Sequence, residues 1–172
     1  MLRKIAMVIT LVGTTLGLAV APAAASPSPA VVADGEVGAM RSIVCYRTFV
    51  PPVGISPMTC DGRTAGVESG LVGGITGLSI TTDDAYDNEF CGRAYFSVTG
   101  WTARQCSVNH LALMFGQFAD TGNHLQALEV DFNRNVCVQP HLRSGWSGAH
   151  CGHPVTVGSP GGTDFTAIRM AF

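Results

Sequence analysis

Lysine is almost missing: Lys4 is the one lysine in 172 residues, and charged residues of all kinds make up 13% of the chain. A protein that neutralises phosphates needs clustered Lys and Arg, so nucleic acid and anionic membrane surfaces are excluded as expected partners. Long apolar runs are scarce too. Past Val20 no segment reaches the ~18 residues of a membrane-spanning helix. Helical periodicity does not persist beyond the N-terminal segment. There is no Gly-x-Ser-x-Gly elbow, no His pair at metal-binding helical spacing and no phosphate-cradling glycine loop. The expectation is a non-enzyme without a cofactor. One carboxylate pair, Glu129 and Asp131, has the residue types of a glycoside hydrolase, but alternation puts both on one exposed strand face.

What is present begins with compartment signals. Met1-Leu2-Arg3-Lys4 is basic, Ile5 to Val20 is apolar, and Ala23 and Ala25 form an A-x-A pair. That order predicts a secretory signal at 1–25, cleaved after Ala25, and hence a secreted, extracellular protein. Removing Arg3 and Lys4 leaves 8 Arg against 12 Asp plus Glu, so the mature net charge is 8 − 12 = −4. Residues 26–41, rich in Pro, Ser and Ala, are expected to form a flexible leader. Residues 42–172 are then one domain of ordinary size.

That domain repeats itself. Cys45, Cys91 and Cys137 lie 46 and 46 residues apart, and Cys60, Cys106 and Cys151 lie 46 and 45 apart. Gly54-Ile55, Gly100-Trp101 and Gly145-Trp146 precede each second cysteine at a constant distance. A fixed period of this size marks a repeat architecture, here with units at about 42–85, 86–132 and 133–172. Six cysteines in an exported chain imply three disulfides. Pairing within each repeat gives Cys45–Cys60, Cys91–Cys106 and Cys137–Cys151, each closing a loop worth roughly 3 kcal/mol. His150-Cys151-Gly152-His153 has zinc-ligand residue types, but a disulfide would consume the thiolate that zinc requires.

Each repeat reads as four short strands. The first is predicted at Ser42–Phe49, Phe90–Phe96 and Asn135–Leu142, and the second runs from the shared glycine to the second cysteine. The third is marked by Gly66–Val72, Leu111–Phe115 and Val155–Val157. The fourth shows alternation at Leu78-Ser79-Ile80, Leu128-Glu129-Val130 and Ile168-Arg169-Met170, with Ser79, Glu129 and Arg169 expected to face water. Gly73, Gly74, Gly77, Gly116, Gly122, Gly158 and Gly161 supply turns that favour positive φ. Three such units bury one face each around a three-fold pseudo-axis, as a β-prism or a β-trefoil.

The segment Val138-Gln139-Pro140-His141-Leu142-Arg143-Ser144-Gly145-Trp146, closing on Ala167-Ile168-Arg169-Met170, resembles the clostridial hydrophobic W repeat. Repeat two matches it through Tyr95-Phe96, Gly100-Trp101 and Ala127-Leu128-Glu129-Val130, and repeat one through Tyr46, Val50, Gly54 and Leu78-Ser79-Ile80. Ile55 replaces the signature tryptophan, and the cysteine pairs are additional to the pattern. The Trp-x4-Cys spacing and Thr163-Asp164-Phe165-Thr166-Ala167-Ile168 are also similar to the vitelline membrane outer layer proteins, which are three-fold β-prisms with carbohydrate-related roles. These resemblances imply a prism and an extracellular binding module for a glycan or cell-wall polymer.

Three sets of residues are candidates for binding. Trp101 and Trp146 have the faces to stack on a sugar ring. Because repeat one carries Ile55 there, the expectation is a core layer near the axis, with Gly54, Gly100 and Gly145 structural. Asp83, Asp84, Tyr86 and Asp87, in the longer link between repeats one and two, offer oxygen ligands suited to Ca²⁺ or a glycan, or else form a solvated turn. Phe118, in the longest turn, is either a binding residue or folded onto the core. The alternative function is a protein-binding or protease-inhibiting module presenting the stiff Pro51-Pro52-Val53 turn.

Overall fold

The computed structural model describes residues 42–69, 72–83, 89–108 and 111–172. All of them fall within one compact unit, Gly38–Phe172. The expected signal segment 1–25, the leader 26–41, and Asp84, Tyr86 and Asp87 lie outside the described residues.

Every element among the described residues is a strand. Repeat one supplies β1 (Ile43–Val50), β2 (Gly54–Ile55), β3 (Thr59–Cys60), β4 (Ala65–Gly66) and β5 (Gly77–Asp83). Repeat two supplies β6 (Glu89–Phe96), β7 (Gly100–Trp101), β8 (Gln105–Val108), β9 (Leu113–Gly116) and β10 (Leu125–Asp131). Repeat three supplies β11 (Val136–Leu142), β12 (Gly145–Trp146), β13 (His150–Gly152), β14 (Val155–Gly158) and β15 (Phe165–Ala171). They build three separate antiparallel sheets, each centred on the first and last strands of one repeat: β1·β5, β6·β10 and β11·β15. Three sheets facing a common core are the prism arrangement; a trefoil would close its strands into one barrel.

The expected second strand is broken in two, giving five strands per repeat. Phe49 pairs with Ile55 and Tyr46 with Thr59, so three steps on β1 oppose four on its partner. The extra residue is a bulge, and a hydroxyl recurs there: Ser56, Thr102 and Ser147. Ser56 N–H donates to the Thr48 carbonyl while its Oγ accepts the Thr48 N–H at 3.0 Å. Thr102 does the same with Ala94. Proline at 140 has no N–H to give, so the Ser147 hydroxyl instead donates to its carbonyl at 3.0 Å.

The third strands leave home. β9 pairs with β5 of the preceding repeat, β14 pairs with β10, and β4 pairs with β15 of repeat three. The exchange runs around the ring and closes it. Gly66, Gly116 and Gly158 end these strands at φ of 110°, 72° and 73°. A Cβ on Gly158 would meet the Gln126 carbonyl oxygen at 2.2 Å, and one on Gly116 would meet that of Thr76 at 2.3 Å. Glycine is therefore required at the joints. The glycines before β5 work differently from expectation. Gly73, Gly74 and Gly77 do not adopt positive φ; the latter two give space, because a Cβ on Gly74 would lie 2.8 Å from His124 Cβ and one on Gly77 would lie 3.0 Å from the Phe118 ring.

Alternation from the leading cysteine decides what each first strand buries. Val44, Tyr46, Thr48 and Val50 point inward, as do Phe90, Ala94 and Phe96, and Val136 and Val138. Cys45, Arg47 and Phe49, and likewise Cys91, Arg93 and Tyr95, point outward and are only partly covered. The core differs by repeat at one equivalent site, occupied by Tyr46, Gly92 and Val138. Phe115 from β9 reaches within 3.2 Å of where a Gly92 Cβ would stand, filling the space. The buried Tyr46 hydroxyl accepts the Met170 N–H at 2.8 Å and donates to the Arg63 carbonyl. Burial raises its pKa above that of an ordinary phenol. Ser79, expected in water, is buried, since Met114 of the exchanged strand lies directly beside it.

Around the pseudo-axis Leu125 N–H donates to the Ile75 carbonyl and Ile75 N–H to the Phe165 carbonyl, both at 2.7 Å. Directly before these three stand the equivalent residues His124, Gly74 and Asp164. His124 Nδ1 lies 3.0 Å from Asp164 Oδ2, and Gln126 Nε2 donates to Asp164 Oδ1 at 3.0 Å.

Candidate functional site

All three predicted disulfides form, and each joins directly opposed residues of the first strand and its hairpin partner. Because the leading cysteines face outward, the disulfides mark one end of each outer face. At the other end lie the cross-strand pairs Phe49–Ile55, Tyr95–Trp101 and His141–Trp146. The tryptophans are therefore not a core layer near the axis. Both are half-buried on outer faces, and Ile55 is 55% exposed. Period-two geometry is the reason. These residues sit opposite positions four beyond an outward cysteine, so they share its side of the sheet. Gly54, Gly100 and Gly145 keep the structural role expected of them, at φ of 98°, 76° and 120° where the hairpin turns into its second strand.

The second sheet carries a dense polar network between its disulfide and its aromatic pair. Tyr95 and Trp101 meet edge to face with centroids 5.6 Å apart, and the Arg93 guanidinium lies 4.6 Å from the Trp101 ring centre. Arg93 Nη2 also reaches Glu129 Oε2 at 2.8 Å. Arg104 spans both acids of the strand, with Nη1 at 2.8 Å from Glu129 and Nη2 at 2.6 Å from Asp131. His153 Nδ1 adds a 3.0 Å contact to Asp131. Both Glu129 oxygens are thus engaged by guanidinium, and the Asp131 oxygens by Arg104 and His153, rather than opposed across an open glycosidase cleft.

The third sheet repeats the theme with different residues. His141 and Trp146 meet edge to face at 4.9 Å, and the Arg169 guanidinium lies 3.9 Å from the Trp146 ring centre. Arg169 Nε donates to the Thr64 hydroxyl at 2.9 Å and Nη2 reaches Glu68 at 3.2 Å. The Thr64 hydroxyl foremost, with the Trp146 indole N–H and Arg169, holds the Glu68 carboxyl below the usual carboxylate range, against the opposing effect of burial. Thr64 and Glu68 belong to repeat one and reach this face beside the exchanged strand β4. Arg93, Arg104, Glu68 and Arg169 were not expected as site residues, and Glu129 was weighed only as half of a carboxylate pair with Asp131. Their signal was there: Arg93 stands two residues beyond an outward cysteine, and Glu129 and Arg169 stand opposite that register position.

The first sheet is plainer. Phe118 folds over Gly77 on the outer face, half-buried, so it belongs neither to the core nor to a free loop. Arg47 lies 6.0 Å from its ring centre. Asp83 is exposed at the end of β5 and lines a cleft of about 530 Å³ together with Asp61, Arg63 and Met58. Among the described residues one group of metal-ligand types converges, Glu89 with Cys91 and Cys106, and both of its sulfurs are consumed in a disulfide. Cys151 is likewise paired, with Cys137, which removes the zinc thiolate between His150 and His153. No helix among the described residues is long and apolar enough to cross a membrane. Three intramolecular disulfides fit an oxidising environment.

Compared with known proteins, the chain matches no family model, no curated protein and no solved structure.

Proposed function

We propose that the protein is a secreted module that binds an extracellular carbohydrate or cell-envelope polymer through the outer faces of its second and third sheets. The observation that supports this is a repeated arrangement: a tryptophan, an arginine against its ring and a carboxylate on that arginine, at Trp101–Arg93–Glu129 and at Trp146–Arg169–Glu68. An aromatic ring offers an apolar surface to the C–H face of a pyranose. The adjacent guanidinium and carboxylate offer donors and acceptors to its hydroxyls. Because arginine and the edge-on aromatic hold each indole in place, little ordering remains to oppose binding.

The test is depletion. The full chain with its disulfides intact is incubated with insoluble peptidoglycan, chitin, cellulose and starch, and the protein left in solution is measured. Loss on at least one polymer is expected, with the loss abolished in a Trp101→Ala, Trp146→Ala double variant. Retention of all protein in solution on every polymer would sink the carbohydrate reading. A dependence on Ca²⁺ would bring Asp83, with Asp84, Tyr86 and Asp87, into the site.

A further inference from the structure

The outer face of the first sheet lacks something the other two have. Arg93 and Arg169 each have a carboxylate partner, at 2.8 and 3.2 Å. Arg47, at the position equivalent to Arg93, has none among the described residues: its Nε is buried and makes no hydrogen bond there. The Phe118 ring, 6.0 Å away, is at the limit of cation–π reach. Where the second sheet places Glu129, the first places Ser79. A guanidinium has five donors, and a partly covered one without an acceptor is costly.

The surroundings are apolar rather than saccharide-like. Ile55 is 55% exposed and Met114 is 52% exposed, and the rings of Phe49 and Phe118 lie beside them, half-buried. Across the pseudo-symmetry, Ile55 replaces the two tryptophans and Met114 stands where the second sheet has Thr156. Isoleucine and methionine are poor sugar platforms. An exposed methionine beside arginine and aromatic rings is instead the composition of a protein-binding surface.

We propose that this face docks a polypeptide partner that places one Asp or Glu carboxylate on Arg47 while its apolar side chains cover Ile55 and Met114. The missing acid is supplied by the partner. Charge complementarity at Arg47 gives specificity, and burial of the surrounding apolar surface gives most of the affinity.

The experiment uses the full disulfide-intact chain on an array of short synthetic peptides with apolar residues varied around a central Glu, Asp, Gln or Lys. Binding is expected on Glu or Asp peptides, weaker by about tenfold or more on their Gln and Lys counterparts. The same loss is expected for Arg47→Gln and for Met114→Glu, while the Trp101→Ala, Trp146→Ala double variant binds as the parent does. In a methyl-labelled methionine spectrum, the bound peptide shifts Met114 and leaves the buried Met170 in place. The proposal is overturned if no peptide is held, if Gln peptides bind as well as Glu peptides, or if Arg47→Gln binds unchanged. It is equally overturned if polygalacturonate, and not peptide, is captured through Arg47. Because the tryptophan faces are not involved, failure here leaves the carbohydrate reading standing, and the reverse also holds.

Discussion

Arg47 and Arg93 occupy equivalent places on two sheets of the same construction, two residues beyond an outward disulfide cysteine. On the second sheet the arginine is held between an indole and a carboxylate. On the first it lies among aliphatic and aromatic side chains with no acceptor among the described residues. The hairpin bulge and the exchanged strand recur around both, and the central pairing differs only in a register shift between Leu125 and Ala127 that β1 and β5 do not have. The difference is carried by Ser79 against Glu129, Ile55 against Trp101 and Met114 against Thr156. One scaffold thus presents separate surfaces whose chemistry is set by a few outward positions, while inward positions maintain the frame.

The most damaging change is one that removes the frame from both faces together. Gly158→Ala is expected to cost about 3 kcal/mol or more, since it combines a positive φ with a Cβ driven into the Gln126 carbonyl. Gly122→Ala, at φ 63° with nothing within 4 Å, is expected to cost only about 1 kcal/mol. Denaturant unfolding of the pair separates strain from collision; equal costs would mean that the exchanged strand joint tolerates a side chain.

Tyr46→Phe comes next and acts beneath the first sheet, where the phenol ties β1 to β15 of the third. It leaves the Met170 N–H and the Arg63 carbonyl without the phenol, at a cost of about 1–3 kcal/mol. It also changes the alkaline limb of stability. The folded pKa is raised above 10.0, so the stabilising contribution is fully present below that value and is lost as pH rises towards the raised one. Unfolding followed across that range should show the loss in the parent and not in the variant.

Smaller effects sharpen the contrast between the two arginines. Arg93→Gln is expected to lose about 0.5–1 kcal/mol, less at high salt, because Arg93 is 41% exposed and its pairing is only partly shielded. Arg47→Gln should be neutral or slightly stabilising, having no ion pair to break among the described residues. If both behave alike, the proposed asymmetry of the faces is wrong. Smallest is Glu68→Gln on the third sheet. The depressed carboxyl contributes stability above its ordinary pKa that is lost as pH falls through the folded value. The variant should flatten that acid limb slightly, as measured by thermal unfolding at successive pH values.

Much of the fold was legible because the repeat announces itself. Cys45–Cys60 and its counterparts follow from a period that a single chain displays three times. Val44, Tyr46 and Val50 follow from alternation. The rest was not legible or was misread. The strand exchange leaves no local trace, because Ala65–Gly66 reads the same whether it pairs with its own repeat or with β15. The side of the sheet taken by Trp101 and Trp146 was misread by comparing residue types with Ile55, although counting in twos from Cys91 to Tyr95, opposite Trp101, gives the outward side directly. The pairing of Arg93 with Glu129 was readable from strand register, whereas Glu68 meets Arg169 only through the strand exchange, across the whole chain.

The exchanged third strands also bear on how such a chain is assembled and how it can change. A solenoid gains or loses repeats one at a time, because each unit touches only its neighbours. Here β4, the earliest of the exchanged strands, has its place on β15, the last strand of the described chain. During synthesis the first repeat must wait for the third before that edge is covered, which gives folding a high contact order and a late, all-or-none closure. A chain with two or four such units would need its sheets to meet at a different angle to close the ring.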